Sequence, residues 1–263
     1  MKFVFPGGLG KALTFSYDDG RDYDQKLVEI LNKNGLKGTF HLNSGKFDRE
    51  GYVASAEVPT LYAGHEVSCH GVEHKFPTAL DAHRWNIEIG DDRRALEKIS
   101  GQLVQGMSYA FGDYSKTVED IAQANGLKYA RTTKATKNFW LPENFMEWHP
   151  TCHHNGMLEL AEKFLNLAGF YELPVFYVWG HSYEFGIPDE WESIEQFAQM
   201  MAGKEDIWYA TNLEICDYVN AVRAQEYSAD GKIIKNPTAT TVWYVENDKL
   251  VEVKPGEIKV IGE

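Results

Sequence analysis

The length, composition and charge of the chain limit what it can be. It has 263 residues, of which 43% are hydrophobic and 13% aromatic, and a formal net charge of -13 at pH 7. This apolar content is typical of a globular protein with a large core rather than of a disordered chain. The negative charge argues against a nucleic acid partner, because phosphate contacts need clustered Lys and Arg side chains.

The cysteines and the amino terminus bear on the compartment. Cys69, Cys152 and Cys216 are odd in number and have no short metal-binding spacing, so we expect free thiols. The amino terminus has only a brief apolar patch, interrupted by Pro6, and no stretch is apolar enough to span a membrane. These features predict a cytoplasmic protein without a membrane partner, although a secreted chain trimmed of its signal would look the same.

Strand-like and helical patterns alternate along the first 226 residues. The first pair is a buried strand at 11–17 and an amphipathic helix at 22–35, with Asp22 as candidate cap and Gly35 as stop. Further strands are predicted at 36–43, 65–70, 106–111, 127–133, 174–181 and 207–211. Further helices are predicted at 57–64, 79–101, 116–126, 157–169, 190–203 and 213–225. This alternation indicates a parallel sheet, and the number of strands favours a closed or nearly closed barrel.

The pattern changes near the end of the chain. Three strand-like runs, at 241–245, 249–253 and 257–261, are separated by the turn signals ENDK and KPGE. Short strands joined by tight turns are typical of antiparallel sheets. The sequence therefore predicts an α/β barrel over residues 1–226 and a small antiparallel β appendage, packed on the barrel, over residues 227–263.

Polar side chains collect at the predicted strand ends, where barrel enzymes carry their catalytic groups. Asp18 and Asp19 follow the first strand, and His70 and His74 follow the strand at 65–70. Two histidines four residues apart can aim both imidazoles at one point, and one Asp completes a two-His, one-carboxylate set. Such a set leaves positions open on a divalent ion, as a catalytic metal requires. Other strand ends carry the segment 109–112, Arg131 and His181.

A second group of histidines follows the strand at 127–133. It contains His149, His153 and His154. Adjacent histidines do not easily chelate one ion from a single rigid element, so we expect His149 and His153 to line a substrate cleft instead. Trp148 is the predicted stacking face for a sugar ring. The aromatic residues in NFWLPENFMEWHP favour a saccharide over a small cyclic imide.

Three motifs together resemble the polysaccharide deacetylase family, of the carbohydrate esterase family 4 type. FSYDDG, HGVEH and VWGH follow the order of that family's S/T-F/Y-D-D-G, H-S/T-x-x-H and L-x-x-H motifs over roughly the first 220 residues. The resemblance implies that Asp18 is the general base and His181 the general acid. It also implies that Asp19, His70 and His74 hold one divalent ion, with Zn expected and Co, Ni or Mn as alternatives. The implied fold is a distorted (β/α) barrel of about seven parallel strands.

The chain departs from the family at the third motif. The family has R-x-P-F/Y, whereas the nearest segment here, SYAFG, has Ser108 in place of the arginine and Ala110 in place of the proline. No D-x-x-D-W motif is visible either. In the family that arginine orients the base. Arg131 is our candidate replacement, because an arginine beside an aspartate can lower its pKa and hold its rotamer.

The activity implied by the resemblance is the metal-dependent removal of acetyl groups from an N- or O-acetylated saccharide. A metal-activated water attacks, Asp18 takes its proton, and the backbone N–H of Phe111 is a candidate oxyanion donor. Tyr109 and Phe111 are also expected to contact the substrate. Two alternatives stay open: a cyclic amide hydrolase of the allantoinase type, and an inactive relative that binds saccharide. The sequence does not select amide or ester, the glycan, or an oligomeric state.

Overall fold

Strands and helices alternate along the chain in this computed structural model, which describes residues 1–167 and 172–262. The strands are β1 (Lys2–Val4), β2 (Lys11–Asp18), β3 (Gly38–Leu42), β4 (Glu66–Cys69), β5 (Gly106–Ser108), β6 (Tyr129–Arg131), β7 (Cys152–His153), β8 (Val175–His181), β9 (Ile207–Tyr209), β10 (Glu226–Tyr227), β11 (Ile233–Lys235), β12 (Val242–Glu246), β13 (Lys249–Val253) and β14 (Ile258–Val260). The α-helices are α1 (Asp24–Lys33), α2 (Val58–Leu61), α3 (Ala82–Ser100), α4 (Lys116–Ala124), α5 (Met157–Leu165), α6 (Tyr183–Gly186), α7 (Glu192–Met201) and α8 (Asn212–Arg223).

Strands β2 to β9 form one parallel sheet. Their order is β6, β5, β4, β3, β2, β8, β7, and β9 pairs with β2 beside that path. The sheet curls, so that an isolated parallel bridge joins Arg131 on β6 to Trp148, which lies just before β7. The predicted α/β fold, a distorted barrel of parallel strands, is confirmed.

Burial explains why the local patterns form these elements. Every residue of β2 is buried, as expected for a strand at the centre of a sheet that is covered on both faces. Helix α1 buries Leu27 and Leu31 against the core, and Gly35 follows it with a φ of 65°. The prediction that Asp22 caps this helix was wrong, because the N-cap residue is Tyr23 and its side chain makes no capping hydrogen bond.

The predicted elements of the barrel part occur near their expected bounds. The helix predicted at 157–169 is α5, which ends at Leu165; residues 168 and 169 lie outside the described part of the chain. The sequence missed the two-residue strand β7, which is too short to show a period. Within the described residues, no helix combines the length and hydropathy needed to cross a membrane.

The carboxyl-terminal strands form two small antiparallel sheets. In the first sheet β12 is the central strand, between β13 and β1, and Phe3 of β1 is opposite Tyr244 of β12; the second sheet has the order β10, β11, β14. The appendage therefore includes the first strand of the chain, which the sequence did not indicate. Phe5 and Val242 belong to a core cluster shared with Tyr218 of α8. The domain boundary at residue 226 stays a prediction, and residue 263 lies outside the described residues.

Candidate active site

A cleft of about 260 Å³ opens at the carboxyl ends of the parallel strands. β2 ends at Asp18, β6 at Arg131 and β8 at His181, and Asp18 is the ladder partner of His181. Groups that are far apart in sequence meet here, because parallel strands all end at the same edge. The cleft is lined by Asp18, Asp19, His70, His74, Tyr109, Phe111, Thr133, Trp179, His181 and Tyr183.

Asp19, His70 and His74 converge as a candidate metal centre. The Oδ1 atom of Asp19 lies 3.6 Å from Nε2 of His70 and 3.4 Å from Nε2 of His74, and the three ligand atoms lie within 4.8 Å of one another. His70 Nε2 is buried and has no hydrogen-bond partner among the described residues. Its Nδ1 lies 3.0 Å from the carbonyl oxygen of Ser108, which can only accept, so the proton is on Nδ1. These residues fit a divalent ion, with an unused nitrogen lone pair facing the two other ligands.

The turn that carries His70 is held by a buried carboxylate of α3. The Asp92 side chain accepts hydrogen bonds from the backbone N–H groups of Ser44, His70 and Gly71, at 2.9, 3.0 and 2.9 Å. Asn43 donates to the carbonyl oxygens of both His70 and Gly71. Burial raises the pKa of Asp92 to about 6, although the hydrogen bonds that the carboxylate accepts act to lower it. The sequence analysis missed Asp92, because a helical Asp in a charged run carries no signal of burial.

Asp18 is buried and is held by two neighbouring strands. Ser108 Oγ donates to one carboxylate oxygen at 3.1 Å, and the guanidinium of Arg131 bonds the other. Ser108 and Arg131 are ladder partners on β5 and β6, so the guanidinium comes from the strand next to the one that carries the family's arginine. Burial acts to raise the pKa of Asp18, but the Arg131 guanidinium foremost outweighs it and holds that pKa well below its usual range. Asp18 is thus an ionised, tightly oriented carboxylate.

The backbone is strained at three residues that line the cleft. Asp19, His74 and Phe111 have positive φ angles of 80°, 57° and 60°. Residues other than glycine avoid this region, at a cost of about 1–3 kcal/mol each, and such positions cluster at functional sites. At Asp19 the turn after β2 sends its carboxylate towards the histidines, whereas Asp18 faces Arg131.

His181 has a carboxylate partner that the sequence analysis missed. Glu184 Oε2 lies 3.2 Å from the Nδ1 atom of His181 and accepts a hydrogen bond from its backbone N–H at 3.1 Å. Burial acts to lower the pKa of His181, but Glu184 and Asp18 more than offset this and the net shift is upwards. A Glu three residues after the motif histidine was the available signal, since one helical turn brings such positions together.

The Glu184 carboxylate also contacts the adjacent histidines His153 and His154. Glu184 Oε2 lies 3.0 Å from Nε2 of His153 and 3.4 Å from Nε2 of His154. The spacing of this cluster would also admit a metal ion. The Nδ1 atom of His153, however, accepts a hydrogen bond from the backbone N–H of Asn155 at 3.4 Å, which leaves the ring proton on Nε2, facing Glu184.

Comparison with known proteins bears on this geometry. The polysaccharide deacetylase family model matches residues 8–130. YxkH of Bacillus subtilis, a curated protein named for that family, is 21% identical over 126 residues, which are 47% of this chain and 45% of YxkH. Residues 8–130 are therefore similar to a polysaccharide deacetylase domain. The chain spans less than half the length of YxkH.

Solved structures related to polysaccharide deacetylases share the fold. A Mycobacterium smegmatis protein described as a polysaccharide deacetylase superposes with a TM-score of 0.63 at 16% identity, covering 85% of this chain and 95% of its own. BA3943 of Bacillus anthracis, described as a CE4 family pseudoenzyme, gives 0.51 at 17% identity, covering 82% and 68%. At these identities the likeness shows the fold alone. Arg131 and His181 lie beyond the segment matched by the family model.

The structure separates the residues that were predicted to bind substrate. Phe111 is 54% exposed at the cleft and stacks on Phe76, with ring centroids 3.8 Å apart. Tyr109 lines the cleft but is almost fully buried, and its hydroxyl donates to the carbonyl oxygen of Met146. His149 bonds Thr132 at 2.6 Å and lines a different cavity.

The prediction that Trp148 offers a stacking face for a sugar was wrong. Its side chain is 1% exposed and packs between Tyr129, Phe145 and Tyr177 in the core under the appendage. Trp148 lies in the segment before β7, at the point where that segment bridges to Arg131 of β6. His153 is also placed away from the cleft lining, against Glu184 and the ring of Trp179. The tryptophan that borders the cleft is Trp179, which the sequence analysis did not single out.

Proposed function

We propose that the protein is a metal-dependent hydrolase that removes acetyl groups from an N- or O-acetylated saccharide. The observation that carries this proposal is the meeting of the candidate ligands Asp19, His70 and His74 with Asp18 and His181 in one cleft. The similarity of residues 8–130 to a polysaccharide deacetylase domain supports a carbohydrate substrate. Zn is the proposed metal because a two-His, one-carboxylate set with an open position suits it, with Co, Ni and Mn as alternatives. A cytoplasmic location is proposed from the sequence alone.

Asp18 is proposed to accept the proton of the attacking water. A divalent ion held by the three candidate ligands would supply a water of lowered pKa and would polarise the substrate carbonyl. Asp18 has both oxygens occupied by hydrogen bonds from Ser108 and Arg131, which fix its direction beside the candidate metal centre. The stacking of the Arg131 guanidinium over the Trp179 ring, at 4.4 Å, adds to that rigidity.

His181 is proposed to protonate the leaving amine or alkoxide. Glu184 contacts its Nδ1 atom, which raises the pKa of the ring and directs the other nitrogen away from that contact. Asp18 and His181 are ladder partners, so the base and the acid stand on adjacent strands. A proton can therefore be taken and returned on two sides of one bound acetyl group.

An inactive, saccharide-binding relative is the second candidate function. The observation in its favour is the resemblance in fold to BA3943, which is described as a pseudoenzyme of the CE4 family. The presence of a base, an acid and a complete candidate ligand set weighs against it. The cyclic amide hydrolase stays an alternative for the same residues.

The deciding experiment is acetate release from a panel of N- and O-acetylated oligosaccharides, with chelator-treated protein and with zinc restored. Zinc-dependent release from the wild-type protein, absent in Asp18→Asn, is expected. Asp18→Asn should keep its bound metal, which separates a lost base from a lost ion. Metal binding without release from any acetylated substrate would refute the deacetylase, and hydrolysis of a cyclic amide such as allantoin would then identify the alternative.

A further inference from the structure

A second cavity, of about 370 Å³, lies in the long segment between β6 and β7. We call it the Trp140 groove, defined by Asn138, Trp140, Glu143, Asn144, Glu147 and His149. Its volume is in the usual range for small-ligand sites, about 300–1,000 Å³. The roles assigned so far to the catalytic cleft do not use it.

The groove and the cleft have no lining residue in common, but side-chain contacts connect their linings. Glu147 of the groove accepts a hydrogen bond from the Tyr114 hydroxyl at 3.4 Å, and the Tyr114 ring stacks on Tyr109 of the cleft, with centroids 5.0 Å apart. On another side, His149 of the groove bonds Thr132, which precedes the cleft residue Thr133.

The lining of the groove combines an aromatic face with negative charge. The Trp140 side chain is 54% exposed. The charged residues that line the groove, Glu143 and Glu147, are both acidic. Burial and, to a smaller extent, the charge of Lys134 lower the pKa of His149, which disfavours a positive charge on that ring. The Arg223 guanidinium bonds the backbone carbonyl oxygens of the loop, at Pro142 and Glu143.

We propose that the Trp140 groove binds a sugar unit bearing a free ammonium group, next to the acetylated unit that reacts in the cleft. Trp140 would stack on the sugar ring, and Glu143 and Glu147 would pair with the ammonium. The substrate class is then a partly deacetylated amino-sugar polymer. The identification of this unit as part of a substrate rests on the proposed deacetylase function, whereas its binding does not.

The test is calorimetric titration of the full chain with three tetrasaccharides: the fully deacetylated glucosamine tetramer, its N-acetylated counterpart and neutral cellotetraose. Asp18→Asn protein is used for the acetylated ligand, so that turnover does not interfere. Tightest binding of the glucosamine tetramer is expected. Trp140→Ala should raise its Kd about tenfold and Trp140→Phe much less, because a ring remains.

The acidic residues have their own variants. Glu143→Gln with Glu147→Gln should abolish the preference for the glucosamine tetramer over cellotetraose, whereas the exposed Glu205→Gln should change nothing. Equal binding of the three tetrasaccharides, with the acetylated one measured on Asp18→Asn protein, or an unchanged Kd for the glucosamine tetramer in Trp140→Ala, would overturn the proposal.

The outcome is separable from that of the proposed function. Groove binding without acetate release would refute the deacetylase and leave the ammonium-binding groove. Acetate release together with tetrasaccharide Kd values that are the same in the wild type and in all groove variants would refute binding in the groove. The deacetylase proposal would then still stand. With both intact, Trp140→Ala should raise the KM for an N-acetylated tetramer that contains glucosamine units and leave the KM for a single acetylated sugar unchanged.

Discussion

Two three-residue clusters in this molecule have nearly the same spacing. In the cluster of Asp19, His70 and His74, the carboxylate oxygen lies 3.6 and 3.4 Å from the two imidazoles. In the cluster around Glu184, the corresponding distances to His153 and His154 are 3.0 and 3.4 Å. Distance alone does not tell which of them could hold a metal ion.

The protons on the histidine rings separate the two clusters. His70 donates through Nδ1 to Ser108, whose hydroxyl donates in turn to Asp18, so its Nε2 lone pair is available. His153 accepts at Nδ1 and therefore presents an N–H to Glu184. A metal ligand needs the first arrangement, because the ring nitrogen that binds must be unprotonated. We therefore expect metal at the first cluster and a hydrogen-bonded network at the second.

The largest expected effect comes from removing one carboxylate of the first cluster. Asp19→Ala should lose bound metal and about a thousandfold or more in kcat/KM, since a metal ion contributes several kcal/mol to such reactions. Elemental analysis after dialysis, together with acetate release, measures both. His153→Ala is the matched control from the second cluster and should retain one equivalent of metal. Two equivalents of metal in the wild-type protein, falling to one in His153→Ala, would show that the second cluster also binds a metal ion.

Arg131 tests whether the neighbouring strand supplies the function of the absent motif arginine. Arg131→Ala should reduce kcat by about a hundredfold, because Asp18 loses both its charge partner and its fixed direction. Arg131→Lys should recover only part, since lysine cannot reproduce the planar guanidinium over Trp179. Metal content should stay unchanged in both variants. An unchanged kcat in Arg131→Ala would show that Asp18 needs no such partner.

Glu184 tests the network assigned to the second cluster. Glu184→Gln removes a negative charge beside His181 and should lower kcat about tenfold. It should also lower the pKa of His181, because the charge of Glu184 helps to raise that pKa. The acid then loses its proton at a lower pH, and the alkaline limb of the pH–rate profile shifts to lower pH. The pH dependence of kcat measures the shift. If the limb stays in place while metal content falls, Glu184 acts as a ligand and the network is wrong.

The smallest expected effect is on stability. Burial lowers the pKa of His154 from 6.5 to about 3, so the folded state keeps the ring neutral. The contribution of this neutral ring to the free energy of unfolding is fully present above pH 6.5. It is lost as the pH falls towards 3, and the loss is about 2 kcal/mol at pH 5. His154→Phe, which keeps a ring beside Tyr17 and Phe185, should lose less stability between pH 7 and 5.

Chemical denaturation at several pH values gives the dependence of the free energy of unfolding on pH for the wild-type and His154→Phe proteins. The exposed His83→Ala is the control and should behave as the wild type. Equal slopes in the wild-type and His154→Phe proteins would mean that His154 titrates normally and that the second cluster is not a buried network.

Side-chain periods predicted most of the barrel, but not the residues whose environment depends on loops. Strand β2 and helix α1 could be located because alternation and helical spacing are local properties. The strand ends then predicted that Asp18, Asp19 and His70 would share one edge, as they do. Trp148 was misplaced, because the segment before β7 has no period that tells which side of it faces the core.

The order of the elements and the chemistry available at the strand ends could be predicted from the residues alone. Both follow from short-range patterns, in which the residue types and their spacing are sufficient. The tertiary structure decided which groups pair: Arg131 with Asp18 across the β5–β6 register, Glu184 with three histidines, and β1 with β12. These pairings join residues brought together by strand order and loop path, and no local pattern specifies either one.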